Sequence, residues 1–231
     1  MTLKSNIRVF VGIPNLSNDD RYKGYIGSVL NHLQRQVSDF EIMKPYITPP
    51  HAGRFHEGSN DRLYAIMGRM NDIIDKFMAS DASHVFINDG DIEVPPNGVD
   101  TLLRHDVDVA SGVYPSHSFY SNHAMSFGRM VKTHQCGNFI PRDWEFMKGK
   151  VFGEEEPWSG GSGCMLIKRR VFNKYHPNIP ALRFSKDDDC GADKLFWKRC
   201  YEAGFSTRVD ARIVCGHMPD YRLKDIDEWL K

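Results

Sequence analysis

This sequence lacks paired cysteines and long apolar runs. Its five cysteines are odd in number and stand at no Cys-x-x-Cys spacing, which argues against a disulfide framework and a zinc knuckle. No apolar run approaches the roughly 18 residues of a membrane-spanning helix, and residues 1–8 lack the apolar core of a signal peptide. We therefore expect a reduced, cytoplasmic protein without a transmembrane segment, while peripheral contact with a membrane stays open.

The sequence also lacks an excess of charge. Thirty basic and thirty acidic side chains cancel to a net charge of +0 at pH 7, so no long-range field attracts the molecule to nucleic acid. We expect no nucleic-acid partner. With 41% hydrophobic and 26% charged residues over 231 positions, the chain is typical of one globular α/β domain spanning 1–231.

Short apolar runs alternate with helical patterns, which predicts an α/β sheet flanked by helices. We expect strands at 8–14, 41–48, 84–88, 107–114, 163–167 and 207–214. We expect helices at 22–36, 59–80, 168–175 and 193–203, and a short helix that ends at residue 105. Residues 115–160 lack clear periodicity, so loops and short antiparallel strands that shape an acceptor site are predicted there.

Two carboxylates follow the strand at 84–88 directly. Asp89 and Asp91 flank Gly90 at the strand end, where open α/β sheets bind their ligands. The carboxylates can aim at one hard cation, and the glycine lets a ligand approach the backbone. Other Asp-x-Asp triplets, at 106–108, 187–189 and 225–227, do not directly follow a buried apolar strand. Position therefore favours Asp89 and Asp91 as metal ligands.

His217 follows the last predicted strand and a glycine. Most lone histidines are structural, and that interpretation stays open. The alternative is that the imidazole completes the coordination of a metal held by a carboxylate on another strand, with a nucleotide diphosphate at the remaining positions.

The acidic stretch 187–193 precedes the helix at 193–203. Asp193 could cap this helix, with the upstream carboxylates solvated. A carboxylate at the helix start that faces the metal could instead take the proton from an acceptor hydroxyl. Both interpretations stay open.

Three motifs, in order, resemble those of the GT-A glycosyltransferases, in particular the family 2 type. HVFINDGD at 84–91 with the strand after it resembles the metal-binding Asp-x-Asp segment, and GSGCMLIKRRVF at 161–172 resembles the Gly-x-x-Leu-Ile strand and helix. Residues 193–217 are similar to the segment that supplies a catalytic acid and the last metal ligand. The resemblance covers residues 6–218 and implies a GT-A, Rossmann-like fold with a mixed, mostly parallel central sheet flanked by helices.

The resemblance also implies roles for individual residues. Asp91 would bind the metal, Asp89 would face the ribose or the metal, and His217 would complete the metal site. Pro14 and Asn15, after the first strand, would border the nucleotide base.

Two further segments resemble the family in a modified form. Arg69 and Asn71 look like an Arg-Asn pair that lies near the nucleotide, with one residue inserted between them. The family's Glu-Asp acid pair keeps only its second residue here, which implies Asp193 as the general base, with Asp188 or Asp189 as alternatives.

Trp158 precedes a glycine-rich turn that includes Gly161. The ring could stack on a sugar face while the glycines admit the donor closely. A buried core tryptophan is an equally good interpretation.

These features predict a metal-dependent glycosyltransferase that uses Mn²⁺ or Mg²⁺ and a UDP- or GDP-sugar. Inversion by direct displacement is favoured, and retention stays open because retaining enzymes share the same metal motif on the same fold. Residues 1–114 would bind the nucleotide, and residues 115–231 would bind an unidentified glycan, lipid-linked or protein acceptor. One alternative is a sugar nucleotidyltransferase, although the glycine-rich basic signature of that class is missing after the first strand. The other is a non-catalytic nucleotide- or glycan-binding protein, suggested by the alanine at 192.

Overall fold

An eight-stranded sheet forms the centre of the computed structural model, which describes residues 7–15, 20–35, 40–49, 60–115, 127–129, 144–173, 184–185, 191–220 and 222–225. Its strands are β1 (Arg8–Ile13), β2 (Glu41–Ile42), β3 (Tyr46–Ile47), β4 (His84–Asn88), β6 (Val109–Val113), β8 (Val151–Phe152), β10 (Cys164–Lys168) and β11 (Thr207–Val214). Two small sheets pair β5 (Ile92–Glu93) with β12 (Gly216–His217), and β7 (Phe127–Arg129) with β9 (Trp158–Gly160).

The central sheet is mixed and mostly parallel. Its strand order is β2-β1-β4-β10-β6-β11-β8, and β3 also pairs with β1. Strand β1 is parallel to β2, β3 and β4, and β6 is parallel to β11. The strands that run the other way are β10, between β4 and β6, and β8 beside β11. The carboxyl ends of β1, β3, β4, β6 and β11 therefore share one edge.

Helices cover both faces of this sheet. They are α1 (Asp20–Gln34), α2 (Asn60–Met78), α3 (Gly98–Arg104), α4 (Trp144–Met147), α5 (Arg170–Asn173) and α6 (Ala192–Glu202). Apolar side chains of α1 and α3 lie in one core cluster, and those of α2, α5 and α6 lie in the other. Alternate residues of β4 point to the two clusters, Phe86 to the first and Val85 and Ile87 to the second. A strand buried on both faces must be apolar throughout, which explains the continuous run at 84–88.

This architecture confirms the predicted Rossmann-like GT-A fold. Strands β4 and β11 begin and end at the predicted residues. The strand predicted at 41–48 is wrong in one respect, because β2 and β3 are separate and Pro45, which has no N–H, lies just before β3. Residues 174 and 175 of the predicted 168–175 helix and Ser59, the first residue of the predicted 59–80 helix, lie outside the described residues. In the described part of the chain, no helix is long and apolar enough to cross a membrane.

Candidate functional site

Polar and aromatic residues gather at the edge of the central sheet where the parallel strands end. Pro14 and Asn15 follow β1, Thr48 follows β3, Asp89 follows β4 and Tyr114 follows β6. The Asn15 N–H donates a hydrogen bond of 2.8 Å to Thr48 Oγ1, which ties the ends of β1 and β3 together. Because open α/β sheets bind ligands at the carboxyl ends of their strands, this edge is the candidate site.

Strands β5 and β12 bring Asp91 and His217 together. In this antiparallel pair His217 is opposite Ile92, and the Met218 N–H donates to the Asp91 carbonyl at 2.9 Å. As a result, His217 Nε2 lies 3.7 Å from Asp91 Oδ2. Both side chains are largely buried, with 13% of His217 and 25% of Asp91 exposed. The structure thus brings Asp91 and His217 together, and their role as metal ligands stays a prediction.

The surroundings of His217 determine which ring nitrogen carries the proton in the neutral imidazole. Its Nδ1 lies 2.6 Å from the carbonyl oxygen of Pro115, and because a carbonyl only accepts, Nδ1 is the donor. In the neutral ring, the lone pair is therefore on Nε2, which faces Asp91. The Tyr114 and His217 rings pack edge to face with their centroids 5.5 Å apart, which limits rotation of the imidazole. Metal-binding histidines usually have such a second hydrogen bond, which sets the tautomer and the ring direction.

Two carboxylates influence the charge of His217. Burial alone would lower the pKa of His217, but the nearby Asp91 carboxylate, the Pro115 carbonyl and the charge of Asp89 together raise it. The site therefore has a negative potential that favours a cation, either a proton on the ring or a metal ion beside it.

Asp89 lies against Gly163 at the start of β10. The Asp89 N–H donates to the Gly163 carbonyl at 3.1 Å, and the Gly163 N–H donates to the Tyr114 hydroxyl at 3.0 Å. A Cβ at position 163 would lie 2.9 Å from Asp89 Oδ2 and 3.0 Å from the Tyr114 ring. Glycine therefore lets the three strand ends approach one another without displacing the Asp89 carboxylate or the Tyr114 ring.

The turn between β4 and β5 is held from two sides. Asn88 is fully buried, and its Nδ2 donates to the carbonyls of Asp89 at 2.7 Å and Ile92 at 3.0 Å. On the other side, a Cβ at Gly90 would lie 2.8 Å from the hydroxyl of Tyr22, which donates to the Pro14 carbonyl at 3.2 Å. Neither Asn88 nor Tyr22 was predicted from the sequence, although Asn88 stands at the strand end directly before the Asp-x-Asp triplet.

The donor atoms suit a divalent cation with additional ligands from outside the protein. In the described part of the chain, no group of three or more His, Cys, Asp or Glu side chains is placed to hold a metal ion. The 3.7 Å between Asp91 Oδ2 and His217 Nε2 exceeds a hydrogen bond, and both atoms could bind one ion at bond lengths of about 2.0–2.2 Å. A carboxylate oxygen and an imidazole nitrogen are typical ligands of Mn²⁺, whose remaining positions would be taken by phosphate oxygens and water.

The fold also occurs in other solved structures. The crystal structure of A197 from STIV matches at a TM-score of 0.53 and 16% identity, over 93% of this chain and 87% of that chain. This chain shares its fold with A197. Two crystal structures of S. aureus TarS 1-349, one in complex with UDP-GlcNAc, match at TM-scores of 0.49 and 0.48 and at 12% and 11% identity. These matches cover 90% of this chain but only 59% and 57% of the TarS chains. No protein-family profile and no curated protein matches the sequence.

Asp193 lies in the first turn of α6. Gly191 precedes the helix, and the Lys194 N–H donates to Asp193 Oδ1 at 2.8 Å, so the carboxylate satisfies one N–H of the helix start. Part of the side chain reaches solvent, but dense protein surroundings raise the pKa of Asp193 despite the opposing hydrogen bond and charge of Lys194. The N-cap residue is Gly191, and among the described residues no side-chain hydrogen bond caps the helix, so the prediction that Asp193 caps α6 is wrong. A role of Asp193 as a base stays a prediction. Asp188 and Asp189 lie outside the described residues.

Arg69 and Asn71 lie on α2. The Asn71 amide makes two hydrogen bonds of 2.9 Å with the backbone N–H and carbonyl of Phe184. The charge of Arg69 acts on Tyr46, whose hydroxyl donates to Asp72 at 2.7 Å. These contacts describe how α2 is held against β3 and residue 184, and the predicted proximity of Arg69 and Asn71 to a nucleotide stays a prediction.

Trp158 begins β9, and Gly161 follows the last residue of that strand. Only 6% of Trp158 is exposed, and the centroids of the Trp158 and Phe152 rings are 4.5 Å apart. This packing favours the interpretation as a core residue over stacking on a sugar. Gly161 is buried as well. At the neighbouring Gly160, a Cβ would overlap Ser111 Oγ, which shows how closely β9 approaches β6. A donor contact at Trp158 or Gly161 stays a prediction.

Proposed function

We propose that this protein is a glycosyltransferase that binds a UDP- or GDP-sugar through Mn²⁺ or Mg²⁺ and transfers the sugar to an acceptor hydroxyl with inversion. The observation that carries the proposal is the Asp91–His217 pair, 3.7 Å apart at the edge where the parallel strands end, with the tautomer of His217 set by Pro115. The GT-A fold and the motif order are in keeping with it.

In this proposal each strand end binds a different part of the nucleotide-sugar donor. Asp91 and His217 would hold the cation, and Asp89 would face the ribose or the cation. Pro14 and Asn15 would border the base, so residues 1–114 would make most nucleotide contacts. The bound cation would neutralise the charge that develops on the departing nucleoside diphosphate. Gly90 would allow the phosphates to approach the backbone.

Asp193 would act as the base in the transfer. Its carboxylate would take the proton of the acceptor hydroxyl as that oxygen forms a bond to the anomeric carbon. The bond from the anomeric carbon to the diphosphate oxygen breaks in the same step, and its electron pair leaves with the nucleoside diphosphate. The raised pKa of Asp193 supports this role, because a carboxylate that binds a proton more tightly is a stronger base. Residues 115–231 would bind the acceptor.

A thermal-shift screen with nucleoside diphosphates tests the proposal first. A ligand at 100 times its dissociation constant stabilises the folded state by about 2.7 kcal/mol. We expect UDP or GDP to raise the melting temperature with Mn²⁺ present and to have little effect with EDTA. A melting temperature that no nucleoside diphosphate changes, with or without Mn²⁺, would contradict the proposal.

Product analysis then separates the proposal from its alternatives. A glycosyltransferase should release UDP or GDP slowly from the matching nucleotide sugar in the presence of Mn²⁺, even with water as the acceptor. Release of pyrophosphate from a nucleoside triphosphate would instead indicate a nucleotidyltransferase. Metal-dependent binding without hydrolysis or transfer would favour a binding protein with the same fold.

A further inference from the structure

A second carboxylate, Glu93, lies two residues beyond Asp91 and is 1% exposed. Its Oε1 accepts a hydrogen bond of 2.8 Å from Ser28 on α1 and lies 2.6 Å from the Arg222 guanidinium. Its Oε2 accepts a hydrogen bond of 2.8 Å from the Leu223 N–H. Arg222 also donates to Ser28 at 3.3 Å. Glu93 thus connects α1, β5 and the segment that follows β12.

The segment after β11 is attached to β5 at two places. The first is the backbone pairing of Gly216 with Glu93 and of His217 with Ile92. The second is the Glu93 carboxylate, which holds Arg222 and Leu223 at the start of a short 3₁₀ helix (Leu223–Asp225). His217 belongs to the first of these attachments, the β5–β12 pair, which has only two residues in each strand. Such a short ladder provides little hydrogen bonding, so the second attachment contributes to its register.

Stability alone does not account for this arrangement. A buried ion pair is often no more stable than apolar side chains of the same volume, because both charges lose their hydration. The partners of Glu93 belong to α1 and to residues 222–223, so the network determines where the segment that carries His217 lies.

We propose that Glu93 is a positioning residue that keeps His217 against Asp91 by holding residues 222–223 on β5 and α1. The inference rests on the proposed function for its link to metal binding, and the contact between His217 and Asp91 can be tested without metal. Loss of the Glu93 network should loosen the β5–β12 pair and leave the central sheet intact.

The chain offers a matched control on the opposite edge of the sheet. Asp108, before β6, is 3% exposed and is paired with the Arg170 guanidinium. It also accepts hydrogen bonds of 2.9 Å from the Ser206 N–H and from the Ser206 hydroxyl. Glu93 and Asp108 therefore share an arginine, a serine hydroxyl and a backbone N–H as partners, and Glu93 also has His32 Nε2 at 3.7 Å from its Oε1. Of the two carboxylates, only Glu93 is connected to His217.

The first experiment measures amide hydrogen exchange by NMR in the metal-free protein. In Glu93→Gln we expect the Met218 amide, which donates to Asp91, to exchange roughly tenfold faster or more than in the wild type. The Cys215 amide, which donates to Val113 in the central sheet, should be unaffected. Asp108→Asn should not change the exchange of Met218. Arg222→Ala provides a second variant, because Arg222 is 41% exposed and its loss is easily tolerated by the fold.

The second experiment titrates the same proteins with Mn²⁺ alone and measures the free ion by EPR. Loss of a residue that orients a metal ligand typically weakens metal affinity by about 10–100-fold. We expect that loss for Glu93→Gln and no change for Asp108→Asn.

The outcomes separate the two proposals. Unchanged Met218 exchange in both Glu93→Gln and Arg222→Ala would overturn the positioning role, whatever the metal results. Equal acceleration of Met218 exchange by Asp108→Asn would also overturn it, because the effect would then be general destabilisation. A wild type that does not bind Mn²⁺ would contradict the proposed function, whereas the exchange data would still decide the role of Glu93.

Discussion

Two Asp-x-Asp triplets lie on opposite edges of the same sheet, and their partners differ. At the edge where β6 begins, Asp106 contacts the Lys168 ammonium and Asp108 is paired with Arg170. At the edge where β4 ends, Asp91 faces the imidazole of His217. A carboxylate that a lysine or arginine neutralises serves structure, whereas a carboxylate beside an imidazole can share a proton or a metal ion with the ring nitrogen. The two triplets have the same residue types, and their position in the sheet distinguishes a structural role from a ligand-binding role.

The largest expected effect is at Asp91. Asp91→Ala removes one of the two proposed metal ligands, so we expect metal-dependent turnover and Mn²⁺-dependent nucleotide binding to fall by about 100-fold or more. The residue lies at a strand end outside the apolar core, so the melting temperature should change little. Steady-state assays and calorimetry measure the two effects.

Asp106→Ala is the matched control from the other triplet. Asp106 is 89% exposed and pairs with Lys168, and such surface pairs contribute only about 0–1 kcal/mol to stability. Activity and nucleotide binding should be unchanged. If Asp91→Ala and Asp106→Ala lost activity and nucleotide binding equally, the two edges of the sheet would not differ in function.

The next effect concerns Asp193. Removal of a general base typically lowers the rate by about 10²–10⁴-fold, so Asp193→Asn should reduce kcat by that amount. The affinity for the nucleotide should be retained, because the amide is close in shape and Asp193 would not contact the donor. Rapid-quench kinetics and a binding titration separate these effects. A variant with normal kcat would limit Asp193 to a structural role in the first turn of α6.

Asp108 should affect stability and leave chemistry unchanged. Asp108→Ala leaves the Ser206 N–H and hydroxyl without their buried acceptor, which costs about 1–3 kcal/mol of unfolding free energy. Urea denaturation measures this loss. Activity per folded molecule should equal that of the wild type, and a large drop in kcat at full folding would contradict the structural role.

The smallest effect is a pH dependence at Asp210, a third buried carboxylate paired with a cation. Burial alone would raise the pKa of Asp210, but hydrogen bonds from Arg212 and His105 lower it to about 2. Because an unfolded aspartate has a pKa of roughly 3.9, this carboxylate stabilises the fold above about pH 4, and the contribution is lost as the pH falls toward 2. The free energy of unfolding of Asp210→Asn should be lower than that of the wild type above about pH 4, and this difference should shrink by roughly 2 kcal/mol as the pH falls toward 2. A deficit that is independent of pH would show that the ionised form of Asp210 is not the source.

Much of the fold could be predicted because buried parallel strands and amphipathic helices leave strong periodic patterns. The run at 84–88 and the α2 stripe are examples. Strand order is not contained in such patterns, so the insertion of the antiparallel β10 between β4 and β6 could not be predicted. The β5–β12 pair was also missed, because two residues per strand produce no detectable alternation.

The candidate site was predicted in part for the same reason. Asp91 and His217 each follow a recognisable strand, so their proximity could be expected from the fold. Glu93 could not be recognised, because its partners are distant in the sequence and are brought to it only by the folded chain. Ser28 lies on α1 and Arg222 lies near the end of the chain. Trp158 shows the converse, since a tryptophan beside glycines suits a sugar site or a core equally well until its packing is known.

Pulsed EPR of bound Mn²⁺ tests the central claim most directly. With Mn²⁺ and UDP or GDP bound, the wild type should show a coupling between the ion and an imidazole nitrogen. His217→Gln should abolish that coupling, and His105→Gln, which alters the histidine paired with Asp210, should keep it. A nitrogen coupling that persists in His217→Gln, or a bound ion with no coupling in the wild type, would contradict a cation shared by Asp91 and His217.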